Sequence, residues 1–107
     1  MKLTAFMVRD AEEDLLDIYR YALRSHSYDS AEKVYKTIRM TCGDLVKMPF
    51  TGHVPPELER VGVLEYREVG CYPYRIIYRV VGERLLIHCI LDGRRNLMDL
   101  LHRRLIR

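Results

Sequence analysis

PYRIIYRVVGERLLIHCILDGRR, residues 73–95, decides the fold. Tyr74 to Val81 is rich in β-branched and aromatic residues, and Arg84 to Leu91 is almost continuously apolar, so both segments read as strands. The Val81-Gly82-Glu83 link is tight enough for a hairpin, which makes the two strands antiparallel. Asp92-Gly93 then turns the chain out of the sheet. Alternation puts Arg75, Ile77 and Arg79 on one face and Tyr74, Ile76, Tyr78 and Val80 on the other. Arg67 joins the arginine face if the register of the preceding strand allows it.

Upstream, Leu64–Val69 reads as another strand, completing a three-strand meander. Residues 51–62, with Pro55-Pro56 and bounding glycines, form a loop with room for one helical turn. Pro49 ends a helix whose face carries Ala31, Val34, Tyr35, Ile38, Cys42 and Leu45. An earlier helix shows Ala11, Leu15, Ile18 and Ala22 at helical spacing. Asp10 with Glu13, and Asp29 with Glu32, have capping-box spacing at the two starts. The short polar linker at 25–27 predicts an antiparallel helical hairpin. Residues 2–8 read as a first strand. After the turn, Asn96 caps a short helix carrying Leu97, Leu100, Leu101 and Leu105. The expectation is an α+β fold over residues 1–107 as one domain: a strand, a helical hairpin, a mainly antiparallel sheet and a short last helix, with one helical layer on one sheet layer.

Composition narrows the function. Apolar residues make up 49% and charged residues 31%, which excludes a disordered chain. No apolar stretch is long enough for a membrane span, and acidic residues follow the first apolar run where a signal-peptide cleavage site would stand. Cys42, Cys71 and Cys89 are too few and too scattered for a disulfide framework, so the expected compartment is the cytoplasm. The first fifty residues hold eight basic and eight acidic side chains. From Arg94 onward, Arg94, Arg95, Arg103, Arg104 and Arg107 stand against Asp99 alone. Such an end suits an acidic partner, or it is a solubilising surface.

Few constellations carry chemistry. His88 and Cys89 are neighbours on a strand and should point to opposite faces, and no metal-ligand spacing occurs, so neither metal nor cofactor is implied. No glycine-rich turn between strand and helix offers a phosphate cradle. No local sequence announces a nucleophile. A row of guanidinium groups on an open sheet grips phosphate or carboxylate oxygens; alternatively Arg75 and Arg79 pair with Glu65 or Glu68 in a ladder. Arg94-Arg95 at the sheet rim form a second recognition candidate, unless Arg94 simply pairs with Asp92. His26, His53 and His88 read as structural or surface residues.

The ordered combination of Pro73-Tyr74-Arg75-Ile76-Ile77-Tyr78-Arg79-Val80, an apolar strand, Asp92-Gly93-Arg94-Arg95 and a leucine-rich end resembles the RelE/ParE toxin superfamily. Asp14-Leu15, Ile18 and Tyr21, the Ala31–Leu45 helix and Pro49-x-x-Gly52 extend the resemblance over nearly the whole chain. It implies the toxin of a type II toxin–antitoxin pair. RelE-like members are metal-free, ribosome-dependent nucleases that cut messenger RNA; ParE-like members poison DNA gyrase. Both are held inactive by an antitoxin that wraps the hairpin and sheet, and antitoxins of this kind usually bind operator DNA.

Residue by residue, Arg75 and Arg95 match positions where RelE-like nucleases place catalytic arginines. Their basic residues on the preceding strand fall here on Tyr66 and Glu68, and their C-terminal aromatic falls near Leu101. His102 or His53 would then stand in as general base. A glutamate among these positions repels messenger phosphate, and the Gly-Arg-Arg turn looks ParE-like. The expectation is therefore a gyrase poison rather than an enzyme, with Arg67, Arg75, Arg79, Arg94, Arg95, Arg103 and Arg104 on the target. Tyr19, Tyr21, Tyr28 and Tyr35 line the antitoxin groove. The alternatives are a nuclease using Arg75, Arg95 and His102, and a degenerate toxin acting as a binding module on an antitoxin–operator complex.

Overall fold

Val8 does two jobs: its amide donates to Ile87 as the first strand closes, and its carbonyl accepts from Glu12 as the first helix opens. In the computed structural model, which describes residues 2–106, β1 (Thr4–Met7) therefore runs directly into α1 (Arg9–Ser25). Asp10 and Glu13 do not form the expected capping box, because the helix begins before them. Asp10 lies in the first turn, where its charge still favours the helix dipole. In α2 (Tyr28–Asp44) the cap is Ser27 instead of Asp29, its hydroxyl accepting from the Ser30 amide at 3.0 Å. The helix also stops short of Pro49. Near Gly43 it tightens into three-residue turns, with Leu45, Val46 and Lys47 donating to Cys42, Gly43 and Asp44.

The chain continues through α3 (Pro56–Glu59), β2 (Arg67–Cys71), β3 (Tyr74–Val81), β4 (Arg84–Asp92) and α4 (Met98–Leu105). The sheet order is β1-β4-β3-β2, with β2, β3 and β4 an antiparallel meander and β1 parallel to β4. The strand β2 begins three residues later than expected, because Tyr66 turns aside to stack edge-on with His88, 5.3 Å between ring centres. Asn96 caps α4 from one position upstream, accepting from the Met98 amide.

Two cores result. Leu15, Ile38, Ile76, Tyr78, Ile87 and Ile90 bury between the hairpin and one sheet face. On the other face Leu58, Tyr66, Ile77, Cys89, Leu97 and Leu101 form a smaller cluster beneath α3 and α4. The single helical layer of the sequence reading is thus two, because Ile77, Cys89 and Leu91 need cover that only these short helices supply. Tyr78 is fully buried and its hydroxyl donates to the Pro49 carbonyl at 2.8 Å, while accepting from the Gly52 amide. A Cβ on Gly52 would stand 2.5 Å from the Glu68 carbonyl oxygen, so only glycine fits this junction.

A β-bulge at His88 breaks alternation: Ile77 faces Cys89, whereas Tyr78 faces Ile87. His88 and Cys89 consequently lie on the same face, contrary to the strict two-residue period. Beyond the end of β1, a side-chain clasp covers the exposed edge of β4. Asp14 accepts from the Ile90 amide and, twice, from Arg104, whose guanidinium also donates to the His88 carbonyl. Burial raises the Asp14 carboxyl above its ordinary value even though Arg104 pulls it down. Asp14→Ala should cost about 2–4 kcal/mol in urea unfolding, since it strands a buried cation and an amide. Asp14→Asn, which keeps an acceptor for Ile90, should cost less. Equal losses would mean that the cation does not matter.

Candidate functional site

The strand β3 sets the basic face. Arg75, Ile77 and Arg79 share one side, but Arg67 does not join them. Its register partner is Tyr78, and its guanidinium donates to the Gly52 carbonyl at 2.7 Å and lies over the Phe50 ring. Arg67 therefore pins the 49–52 loop.

Arg75 is clamped by two carboxylates. Glu57 on α3 takes a bidentate pair of hydrogen bonds, both at 2.7 Å, and Glu68 on β2 accepts from Nε. Glu68 is 5% exposed, and its other carboxylate oxygen lies 2.8 Å from His53 Nε2. The hydrogen bonds from Arg75 hold the Glu57 carboxyl below its usual range, and those same bonds raise the Arg75 guanidinium against the pull of burial. One positive and two negative charges leave this cluster net acidic before His53 is counted. The ion-pair ladder, one of two readings open from sequence, is what forms at Glu68. Glu57 lies outside that reading because the short helix α3, not a neighbouring strand, delivers it.

Arg79 is similarly engaged. Its Nε donates to His88 Nε2 at 3.2 Å, its guanidinium covers Tyr66 at 5.6 Å, and Glu65 lies 3.9 Å away. Burial first, then Arg79 and Arg104, push His88 down to about 4, so it is a neutral acceptor at neutral pH. At the rim, Arg94 folds back onto Asp92 with contacts of 2.7 and 3.0 Å, and this pairing holds the Asp92 carboxyl at about 2. Gly93 donates to Pro73 and packs on the Arg75 stem, where a Cβ would meet Cγ and Cδ at 2.9 Å.

The expected nuclease trio thus separates by role. Arg75 is clamped, and His102 Nε2 lies 3.0 Å from the Glu57 carbonyl oxygen. Arg95 is exposed, with no side-chain partner among the described residues. Arg103 is also exposed, whereas Arg104 points inward to Asp14. Arg107 lies outside the described residues. The tyrosines divide too. Tyr19 stacks edge-on against Tyr35 at 5.8 Å and donates to Glu32, holding the hairpin together. Tyr21 and Tyr28 are 55% and 63% exposed. Tyr21 lines a cleft of about 390 Å³ between α1 and the 92–95 turn.

A separate groove runs between α1, α2 and β1, lined by Met7, Glu12, Leu15, Leu16, Tyr35 and Arg39. It borders β1, an edge strand of the sheet. Among the described residues no three His, Cys, Asp or Glu side chains converge as metal ligands, and no helix is long and apolar enough to cross a membrane.

Comparison with known proteins agrees with this architecture. Residues 7–97 match the family model described as ParE toxin of type II toxin-antitoxin system, parDE. Among solved structures, a chain of the chromosomal ParDE TA system from P. aeruginosa superposes with a TM-score of 0.70 at 22% identity, over 84% of this chain and 95% of that one. No curated protein sequence matches.

Proposed function

Because the chain belongs to the ParE toxin family of type II toxin–antitoxin systems, we propose that it is the toxin of such a pair and poisons DNA gyrase. The observation that supports this reading over messenger cleavage is the Arg75 clamp. A nuclease needs its arginine to meet a phosphate, and here Glu57 and Glu68 already take that guanidinium. Transition-state charge can be stabilised only by donors left free to face it. The exposed Arg95 and Arg103 are then the target-binding cations, with Arg94 beside them. Arg67, Arg75, Arg79 and Arg104 serve the fold.

Neutralisation falls to an antitoxin, a segment of which seats in the α1–α2–β1 groove on Met7, Leu16, Tyr35 and Arg39. An apolar segment with a single acid placed for Arg39 suits the groove floor, while Glu12 on the same groove disfavours a run of acidic residues. In this reading the toxin works in the cytoplasm as one domain, and it meets operator DNA through the antitoxin alone.

Induction without antitoxin should stop replication while translation continues, and purified chain with gyrase and plasmid should accumulate linear DNA. Gyrase that keeps supercoiling, together with new messenger ends, would overturn the reading in favour of the nuclease. Charge reversal at Arg95 and Arg103 together should weaken gyrase poisoning about tenfold or more, since interfacial charge pairs contribute on the order of 1.5 kcal/mol.

A further inference from the structure

The cleft between α1 and the 92–95 turn has a composition that neither core packing nor the antitoxin groove explains. Ile18, Ile90 and Leu91 form its apolar floor, and Tyr21 and Tyr74 line it. Its volume of about 390 Å³ lies within the roughly 300–1,000 Å³ typical of small-ligand sites.

Charge matching around the cleft is nearly complete. Asp14 is paired with Arg104, Asp92 with Arg94, and Asp17 with Arg20 at 3.5 Å. The remaining lining charge is Arg95, which has no side-chain partner among the described residues. Neither tyrosine hydroxyl has a hydrogen-bond partner among those residues either. The unpaired Arg95 guanidinium therefore shares this cleft with two tyrosine rings and an apolar floor. A ligand that satisfies both halves carries an anionic oxygen cluster and a flat ring.

We propose that this cleft binds a nucleotide, its base against Tyr21 and Tyr74 and its phosphate on Arg95. Base–tyrosine stacking needs only a π-face, and a guanidinium matches phosphate oxygens bidentately. Asp17 meets Arg20 through one oxygen and is 77% exposed, so its other oxygen can accept from a base edge that offers N–H donors, as guanine does. An acidic peptide satisfies only the Arg95 half of the cleft and leaves the two tyrosine rings without a stacking partner. The inference is independent of which enzyme the toxin poisons.

Isothermal titration of the full-length chain with guanosine 5′-monophosphate provides the test. Guanosine and inorganic phosphate are the two half-ligands. The chain has no tryptophan, so quenching of its tyrosine emission gives a second readout. Saturable binding of the nucleotide is expected, with each half-ligand at least about tenfold weaker. Arg95→Ala and Tyr21→Ala should each weaken it about tenfold, while Tyr21→Phe keeps the affinity. Arg95 and Tyr21 are exposed, so neither variant threatens folding. No saturation at millimolar nucleotide overturns the proposal. So does binding indifferent to both variants, or displacement of the nucleotide by a glutamate-rich peptide at lower concentration. Nucleotide binding by a wild-type chain that fails to poison gyrase would count against the proposed function and leave this cleft's assignment standing.

Discussion

Arg75→Ala should lower the unfolding free energy by about 3 kcal/mol, a large share of the roughly 5–15 kcal/mol that holds a domain together. The loss comes from what the substitution leaves behind. Glu68 is 5% exposed and the Glu57 side chain 16%, so two largely buried carboxylates are left without their cation. Replacing Arg75, Glu57 and Glu68 together by apolar residues of similar volume should be far milder, because no buried charge is then unmatched. Urea unfolding of the single and triple variants separates these cases. A single variant within the error of wild type would mean that the clamp contributes nothing. The comparison also bears on function. If Arg75 serves the fold, its loss lowers toxicity in proportion to folded protein and leaves the specific poisoning per folded molecule unchanged.

Acid should destabilise the chain through one histidine. In the folded state His88 is pushed from its usual 6.5 to about 4 by burial, with Arg79 and Arg104 adding to the shift. Unfolded chain takes up the proton near the ordinary value and folded chain refuses it. The stabilisation is therefore intact above about pH 6.5 and is lost as the pH falls towards about 4. The loss amounts to roughly 3 kcal/mol across that window. Asp14 acts in the opposite sense: its raised carboxyl favours the folded state as it protonates. Urea unfolding at neutral and mildly acidic pH, compared with His88→Gln, isolates the histidine. If the glutamine variant loses as much stability as wild type between the two conditions, His88 is not responsible.

Sequence alone carries the fold where the chain's periodicity is undisturbed. The β3 bounds Tyr74–Val81 and the helix-facing set Tyr74, Ile76, Tyr78 and Val80 follow from strict alternation against a buried hairpin. It fails where one residue is added or a loop intervenes. The His88 bulge reverses the faces of the residues beyond it, and no propensity marks which strand residue will be left unpaired. Arg67 joins the arginine face only if the register of the preceding strand allows it, and the register pairs it with Tyr78 on the opposite side. Glu57 and His53 reach the site from a proline-rich loop whose path depends on tertiary contacts such as the Gly52–Tyr78 hydrogen bond. At the rim, by contrast, Asp92-Gly93-Arg94-Arg95 is local chemistry. The Asp92–Arg94 pair was one of its two sequence readings.

The parallel pairing of β1 with β4 has a kinetic consequence. Thr4 finds its register partner at Arg84, and Asp14 finds Arg104 at a separation of 90 positions. Contacts of such long separation demand a large loop-closure entropy before they return any stability, so they form late. While the chain is being synthesised, the hairpin can assemble early, but the sheet cannot close on β1 until residues 84–87 exist. The groove beside β1 is therefore the last surface to mature. If an antitoxin seats in that groove as proposed, one already present would meet a nascent chain whose docking site and whose final folding step are the same event.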